Sequence, residues 1–326
     1  MTDFEGQKIL ITGGTGSFGR AMVDSILQSK ESFEVIVFSR DELKQFEMRN
    51  QLADTRVRFL LGDVRDRERL MQASRGVTTI IHAAAMKQIP AAEDNPMEAI
   101  KTNVVGAENV INVAIANRVS RVIALSTDKA ANPSNLYGAT KLCSDKLFVA
   151  GNSLCAKEES RFSVVRYGNV LGSRGSVIPF FVQERSRGLI PITDVRMTRF
   201  WLSLDQGVRF VRASLEKMQG GEIFVPKIPS FKVVDVAHVV APGVPHEIVG
   251  IRPGEKLHET MITPDDSLTT YEFDDHYEII PDKFLTNQSR GGQKVVEGFS
   301  YTSENNPLWF SPEQFRETLI LNGIPF

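Results

Sequence analysis

Cysteine is nearly absent from this chain of 326 residues: only Cys143 and Cys155 occur. Two cysteines cannot build a disulfide framework or a cysteine-rich metal site. Free thiols fit a reducing cytosol, so a cytoplasmic protein is expected. No apolar run reaches the length of about 18 residues that a membrane-spanning helix needs, and Met1 to Lys8 lack the apolar stretch of a signal peptide. There is no excess of charge either. Lys plus Arg number 38 and Asp plus Glu 40, for a net charge of −2. Such a balance gives no reason to expect a nucleic-acid or membrane partner. His238, His246, His258 and His276 show no metal-ligand spacing, so no metal is expected. Internal repeats and low-complexity tracts are also missing.

What is present is an ordinary globular mixture, 42% hydrophobic and 24% charged, able to bury a sizeable core. Short apolar runs at 8–12, 33–38, 57–61, 77–81, 121–125 and 162–166 read as strands. Segments of helical length lie between them, among them 20–29, 41–52 and 103–117. Strands alternating with helices imply right-handed βαβ units and a parallel sheet covered on both faces. After Tyr167 the rhythm weakens, although 204–218 still reads as a helix and 222–226 as a strand. The expected fold is α/β, a Rossmann-type doubly wound parallel sheet with a smaller mixed C-terminal lobe. Residues 1–171 would form the nucleotide-binding domain, with 204–226 returning to it. Residues 172–203 and 227–326 would form the substrate-binding lobe.

Gly13-Gly14-Thr15-Gly16-Ser17-Phe18-Gly19 follows the first strand and opens the first helix. Glycines at 13, 16 and 19 let the backbone turn sharply and approach a pyrophosphate at the positive end of a helix, with Thr15, Ser17 and Phe18 between them. The flanking strand and helix are the context that gives the spacing weight. An acidic residue at the end of the second strand would suit the ribose hydroxyls of NAD. Ser39-Arg40 stands there instead, with Lys44 one turn on. Two cations and a hydroxyl suit a 2′-phosphate, which favours NADP. The same residues also suit a solvated helix start balanced by Asp41 and Glu42. Asp63 would accept from the adenine amino group while Val64 packs on the ring, or Asp63 would cap the next helix. His82 ends the fourth strand and reads as structural. The small Ala83 after it would let the backbone lie against the nicotinamide-side ribose. Gly172-Ser173-Arg174-Gly175-Ser176 resembles a phosphate nest but lacks the Lys-Ser or Lys-Thr of a triphosphate loop.

Ser126-Thr127-Asp128-Lys129 ends the fifth strand, and Tyr137-Gly138-Ala139-Thr140-Lys141 follows. Four residues apart on a helix, Tyr137 and Lys141 share a face. A neighbouring ammonium would lower the tyrosine pKa from about 10 and make the phenolate a usable base. Thr127 would hold a substrate hydroxyl or ketone. These marks resemble the short-chain dehydrogenases/reductases of the extended, sugar-nucleotide type, over the whole chain. The likeness is sharper still to the inverting 4,6-dehydratases of UDP-N-acetylglucosamine, through segments 12–19, 39–45, 125–147, 164–181, 193–201 and 221–230. Ile251-Arg252-Pro253-Gly254-Glu255-Lys256-Leu257-His258 carries it into the second lobe.

That resemblance implies a lyase that loses water without net redox change and begins pseudaminic acid synthesis, and a homo-oligomer. It implies Tyr137 as the base at the C4 hydroxyl, Lys129 as the base at C5 and Asp128 as the acid at the C6 oxygen. Lys129 would need its pKa depressed, by Lys141 and by partial burial. Otherwise Asp128 and Lys129 merely close a loop. The resemblance also implies Arg199 and Arg252 as clamps on the substrate diphosphate and Asn169 facing the sugar nucleotide. Lys87 would lie at the junction of cofactor and substrate, Thr193 on the substrate side and Val170 on the cofactor side. Arg185 and Arg187 read as surface ion pairs. Two alternatives on the same sheet are a UDP-sugar 4-epimerase and a non-catalytic NADP-binding regulator.

Overall fold

A computed structural model describes residues 5–155, 159–171, 177–285, 291–324 and 326. The glycine- and serine-rich stretch 172–176 lies outside the described residues. Six strands form the centre: β1 (Lys8–Thr12), β2 (Glu34–Ser39), β3 (Val57–Leu61), β4 (Thr79–His82), β5 (Arg121–Thr127) and β6 (Arg161–Tyr167). They lie in the order β6-β5-β4-β1-β2-β3, all parallel. Helices flank them, beginning with α1 (Ser17–Leu27), α2 (Glu42–Leu52) and α3 (Arg67–Ala73). Ile9, Leu10 and Ile11 of β1 are all wholly buried. A strand covered on both faces needs continuous apolar residues rather than alternation. The chain order reverses between β1 and β4, which opens a crevice at the carboxyl ends of the strands.

The sheet continues beyond β6 with Ile223–Pro226, parallel to it, and then with three antiparallel strands, His276–Ile279, Thr270–Glu272 and Gln293–Lys294. These strands therefore extend the large sheet, where the sequence places them in the second lobe. Their strands are three or four residues long or shorter and carry no clear alternation, so their partner is set by tertiary packing. A second apolar core gathers Ile178, Phe181, Ile190, Trp201, Phe231 and Phe315. The Trp201 ring stacks on Phe315 at 4.4 Å between centroids.

Two local departures from the sequence reading bear on function. β5 runs to Thr127 rather than stopping at Leu125, so Thr127 is the last residue held by the sheet. The helix expected from Asn103 starts as a π-turn, Lys101–Val105, before Gly106–Ala116. Its buried Asn103 holds the Met86 backbone from both sides: the amide donates to Met86 O at 2.9 Å and Oδ1 accepts from Met86 N at 2.8 Å. Among the described residues no helix is long and apolar enough to cross a membrane.

Candidate active site

One cavity of about 1450 Å³ runs across the carboxyl ends of the strands, from the glycine turn to the loop of Arg252. Every residue singled out in the sequence as a binding or catalytic candidate lines it, except Asp128, which lies wholly buried behind Lys129.

At one end the turn between β1 and α1 is made by Gly13, in the left-handed region at φ +67°. A Cβ there would stand 2.9 Å from Ala84 Cα. Both facts require glycine. Gly16 caps α1 without any side chain, and no acidic residue occupies the first turn. Those amides and the positive helix end remain for an anion, as a dinucleotide pyrophosphate requires. α2 differs: Asp41 caps it by accepting from Lys44 N. Asp41 also pairs with the Lys44 ammonium. Arg40 is largely exposed and stands 3.6 Å from Asp63. Ser39 Oγ accepts from the Gln45 amide at 3.1 Å. Asp63 is gripped by the Arg65 guanidinium at 2.6 and 2.9 Å, while Asp66, not Asp63, caps α3. The buried Val64 sits beside it. His82 is structural in its contacts, with Nδ1 2.8 Å from Thr12 Oγ1 and a ring against Phe148.

The middle of the cavity holds the reactive cluster. Thr127 leaves the sheet and Asp128–Ala130 forms a single 3-10 turn. The Tyr137 helix, Leu136–Gly151, is capped by Asn135, whose side chain accepts from Gly138 N at 2.8 Å. A Cβ at Gly138 would lie 2.3 Å from the Lys129 carbonyl oxygen. Glycine after Tyr137 thus lets the helix press directly on the catalytic turn. Burial pushes the Tyr137 phenol up to about 12, against the Lys129 charge and the Thr127 hydrogen bond that pull it down. The Lys129 ammonium therefore acts on Tyr137, in addition to the Lys141 of the sequence reading.

The two lysines differ sharply from expectation. Lys129 was expected to be depressed, yet it is driven well above its usual value. Burial alone would lower it, but Asp128 and Glu259 outweigh that. Its Nζ lies 3.1 Å from Asp128 Oδ1, 3.1 Å from Glu259 Oε1 and 3.4 Å from Asn169 Oδ1. The cation that opposes its charge is Arg199 rather than Lys141. Burial lowers Lys141, with Asp145 opposing. Asp128 is raised by burial, and its Oδ2 has no partner. Glu259 was missed in the sequence, although it is the residue directly after the motif ending at His258.

Toward the second lobe, Arg199 is not free to clamp an anion with its whole guanidinium. Its nitrogens donate to the carbonyls of Thr198, Lys256 and Leu257 at 2.7, 3.1 and 3.1 Å, and Nε faces Glu259 at 3.6 Å. Arg252 is the open cation, 68% exposed, with Glu255 3.4 Å away. Its loop is tied to the catalytic turn. Ser134 and Asn135 both donate to Gly254 O at 2.9 Å, and Lys256 Nζ donates to Ala131 O at 2.8 Å. Thr193 is buried at the cavity wall, and Lys87, Asn169 and Val170 line it. Arg187 pairs with Glu184 at 2.8 Å, and Arg185 donates to Val240 O at 2.9 Å.

Known proteins resemble this chain over most of its length. The profile of the family described as "Polysaccharide biosynthesis protein" matches residues 9–281. The UDP-N-acetylglucosamine 4,6-dehydratase (inverting) of Campylobacter jejuni is 55% identical, over 97% of this chain and 98% of its own. The UDP-glucose 4-epimerase of Rickettsia akari is 41% identical over 93% of this chain and 92% of its own. The X-ray structure of Pen from Bacillus thuringiensis superposes with a TM-score of 0.91, at 35% identity, covering 99% of this chain and all of that one. With its doubly wound sheet and its Thr127, Tyr137 and Lys141, the chain belongs to the polysaccharide biosynthesis protein family of extended short-chain dehydrogenases/reductases, and stands within it beside the inverting UDP-N-acetylglucosamine 4,6-dehydratases.

Proposed function

We propose that the protein is a hydro-lyase that converts UDP-N-acetylglucosamine to the UDP-2-acetamido-2,6-dideoxy-4-keto sugar with inversion at C5 (L-arabino), as a step toward pseudaminic acid. The observation that carries the reading is the pairing of the buried Asp128 with Lys129 at the cavity wall, 3.1 Å apart and next to Thr127 and Tyr137. Oxidation at C4 needs only Thr127, Tyr137 and Lys141; an acid and a base beside them are what elimination adds.

The cofactor is a nicotinamide dinucleotide, and NADP is the form proposed. The uncapped start of α1 and the glycine turn hold the pyrophosphate. Arg40 and Lys44 hold the 2′-phosphate, exchanging their present acidic neighbours Asp63 and Asp41 for it. When bound, this cofactor accepts hydride from C4 and returns it to C6, so it need not leave.

Tyr137 takes the C4 hydroxyl proton while Thr127 steadies the oxygen. The Lys129 ammonium and the Thr127 hydroxyl stabilise the phenolate against the burial that raises it. The 4-ketone then acidifies the C5 hydrogen. Lys129 removes it, and Asp128 gives its proton to the C6 oxygen as water leaves. Burial keeps Asp128 toward its protonated form, which suits an acid. A solvent proton reaches C5 from the opposite face and inverts that centre, while Tyr137 releases the C4 hydroxyl proton to solvent. Arg252 binds the diphosphate with Arg199 behind it, Asn169 and Thr193 face the sugar, and Lys87 sits where cofactor and substrate meet. Asp63 and Val64 hold the adenine, and Ala83 and Val170 border the ribose and ring of the nicotinamide.

Proton NMR in deuterated buffer with UDP-N-acetylglucosamine and no added reductant tests the proposal. The expected result is a new C6 methyl signal with deuterium at C5 and couplings of the inverted sugar. The 41% identity to a UDP-glucose 4-epimerase makes C4 epimerisation the second reading. A C4 epimer with its C6 hydroxyl intact would establish that one instead, and cofactor binding without turnover would point to a regulator.

A further inference from the structure

Glu259 is a buried carboxylate with a charged partner on each side. It is 2% exposed and reaches Lys129 Nζ at 3.1 Å with Oε1, while Oε2 has no partner. Its backbone N–H is held by Ser303 Oγ at 2.9 Å. The segment before it is fixed by the Arg199 bonds to Lys256 O and Leu257 O. Such anchoring of a residue from the second lobe against the catalytic turn is more than packing requires.

The Lys129 ammonium has three N–H donors. Asp128, Glu259 and Asn169 offer three acceptors, so every proton is engaged and the nitrogen has no free electron pair. A base at C5 needs that pair. We propose that Glu259 is a positioning residue that accepts one Lys129 proton when substrate fills the cavity, and so turns Lys129 into the base. This rests on the dehydratase reading. In the step an N–H bond of Lys129 breaks, its electron pair stays on Nζ, and an O–H bond forms on Glu259 Oε1. Two charges become none, the direction favoured once substrate displaces water from a low-dielectric site. The amine then takes the C5 proton and becomes an ammonium again. Asp128, having given its proton to the departing hydroxyl, is reset by Lys129 across 3.1 Å, and Lys129 by Glu259. These transfers return the three groups to their starting states; the proton added at C5 comes from solvent, which balances the C4 hydroxyl proton that Tyr137 releases.

The charged groups facing this pair are Asp128 from the catalytic turn, Arg199 from the strand Thr198–Leu202, and Lys256 from the loop before Glu259. Tyr137 faces Lys129 from its helix. None of them can take the Lys129 proton in the same way. Arg199 and Lys256 are cations, Tyr137 is needed at C4, and Asp128 must keep its own proton for the leaving group.

Glu259→Gln keeps the shape and cannot accept the proton. Turnover should fall about 100-fold, in the range of acid–base contributions, with KM for UDP-N-acetylglucosamine within about threefold. Deuterium wash-in at C5 should fall in parallel, while C4 oxidation, read as nicotinamide reduction in a single turnover, stays at the wild-type rate. With the internal acceptor gone, Lys129 must lose its proton to solvent. The kcat of the variant should then climb about tenfold per pH unit above neutrality, where wild type stays level. Glu259→Asp, which keeps the charge but withdraws the carboxylate by one methylene, should lose about tenfold in C5 exchange with C4 oxidation intact. Wild-type C5 exchange in either variant overturns the proposal, as does an equal loss in both half-reactions or a pH profile parallel to wild type. If wild type itself forms no 6-deoxy-4-keto sugar, the dehydratase reading fails. If wild type forms it and the variants behave as wild type, this inference alone fails.

Discussion

Two buried charge groups stand on either side of Tyr137, and each contains a lysine. On the catalytic turn, Lys129 lies between Asp128 and Glu259 and is driven up. One turn along the Tyr137 helix, Lys141 shares the single carboxylate of Asp145, which is already bound by Ser126 at 2.7 Å and by Arg166 at 3.3 Å, and Lys141 is driven down. The residue type is the same, although Lys141 is buried and Lys129 reaches the cavity. What differs is the number of carboxylates that each ammonium has to itself. A lysine with two is a proton reservoir. A lysine with a fraction of one has a weaker hold on its proton.

The largest test of that contrast is to remove each lysine in turn. Lys129→Met should cut C5 deuterium exchange by about 10²–10⁴-fold, while C4 oxidation slows far less, through the lost charge beside Tyr137. Lys141→Met should stop C4 oxidation as well, since it acts with Tyr137 in the first step. Nicotinamide reduction in a single turnover separates the two. Equal losses in the two variants would erase the distinction between the groups.

The next test is stability. Asp145→Asn leaves the buried Arg166 without its main carboxylate, because Asp266 lies farther away at 3.5 Å. Breaking such a pair costs about 3–5 kcal/mol. Asp128→Asn leaves Lys129 with Glu259, so its loss of stability should be smaller while its loss of turnover is larger. Denaturant unfolding of both variants checks the order.

A smaller effect separates the ends of the cavity. Arg252→Ala should weaken UDP-N-acetylglucosamine by about 1.5–3 kcal/mol, the worth of a hydrogen bond to a charged group, and spare the cofactor. Arg40→Ala should weaken NADP more than NAD. Calorimetry reads both, and an equal loss of NADP and NAD would mean that Arg40 does not contact the 2′-phosphate.

These contrasts show where the sequence was legible. The β1–α1 glycine turn, the parallel order and the Thr127, Tyr137, Lys141 set are local: each is written in a short stretch with a fixed spacing. Asp128 and Lys129 were visible for the same reason. The charge on Lys129 was not, because it depends on Glu259, far along the chain and brought near only by the second lobe. Its one signal was its place right after Arg252 to His258. Arg199 illustrates the same limit. Its residue type suited a phosphate, yet its donors were claimed by carbonyls at Lys256 and Leu257, contacts that no spacing announces. The antiparallel extension by Thr270–Glu272, His276–Ile279 and Gln293–Lys294 was hidden likewise, in strands too short to show a period.

The smallest effect concerns His82, at the edge of the Lys141 group. Burial, with the Lys141 charge adding to it, lowers its pKa to about 3. The folded pKa therefore lies below the unfolded value of about 6.5, and the native state binds fewer protons between them. The contribution of His82 is complete above about pH 6.5 and is lost as the pH falls toward the folded value, with a slope of at most about 1.4 kcal/mol per unit. His82→Asn keeps a polar group near Thr12 Oγ1 and does not titrate. Between pH 7.5 and pH 5.5 the unfolding free energy of wild type should fall by roughly 1 kcal/mol more than that of the variant. Taking the difference between the two proteins cancels His238, His246, His258 and His276, which both retain. Equal slopes would place His82 in contact with water and with a proton acceptor, and the Lys141 group would then be wetter and less distinct from the catalytic turn than its contacts indicate.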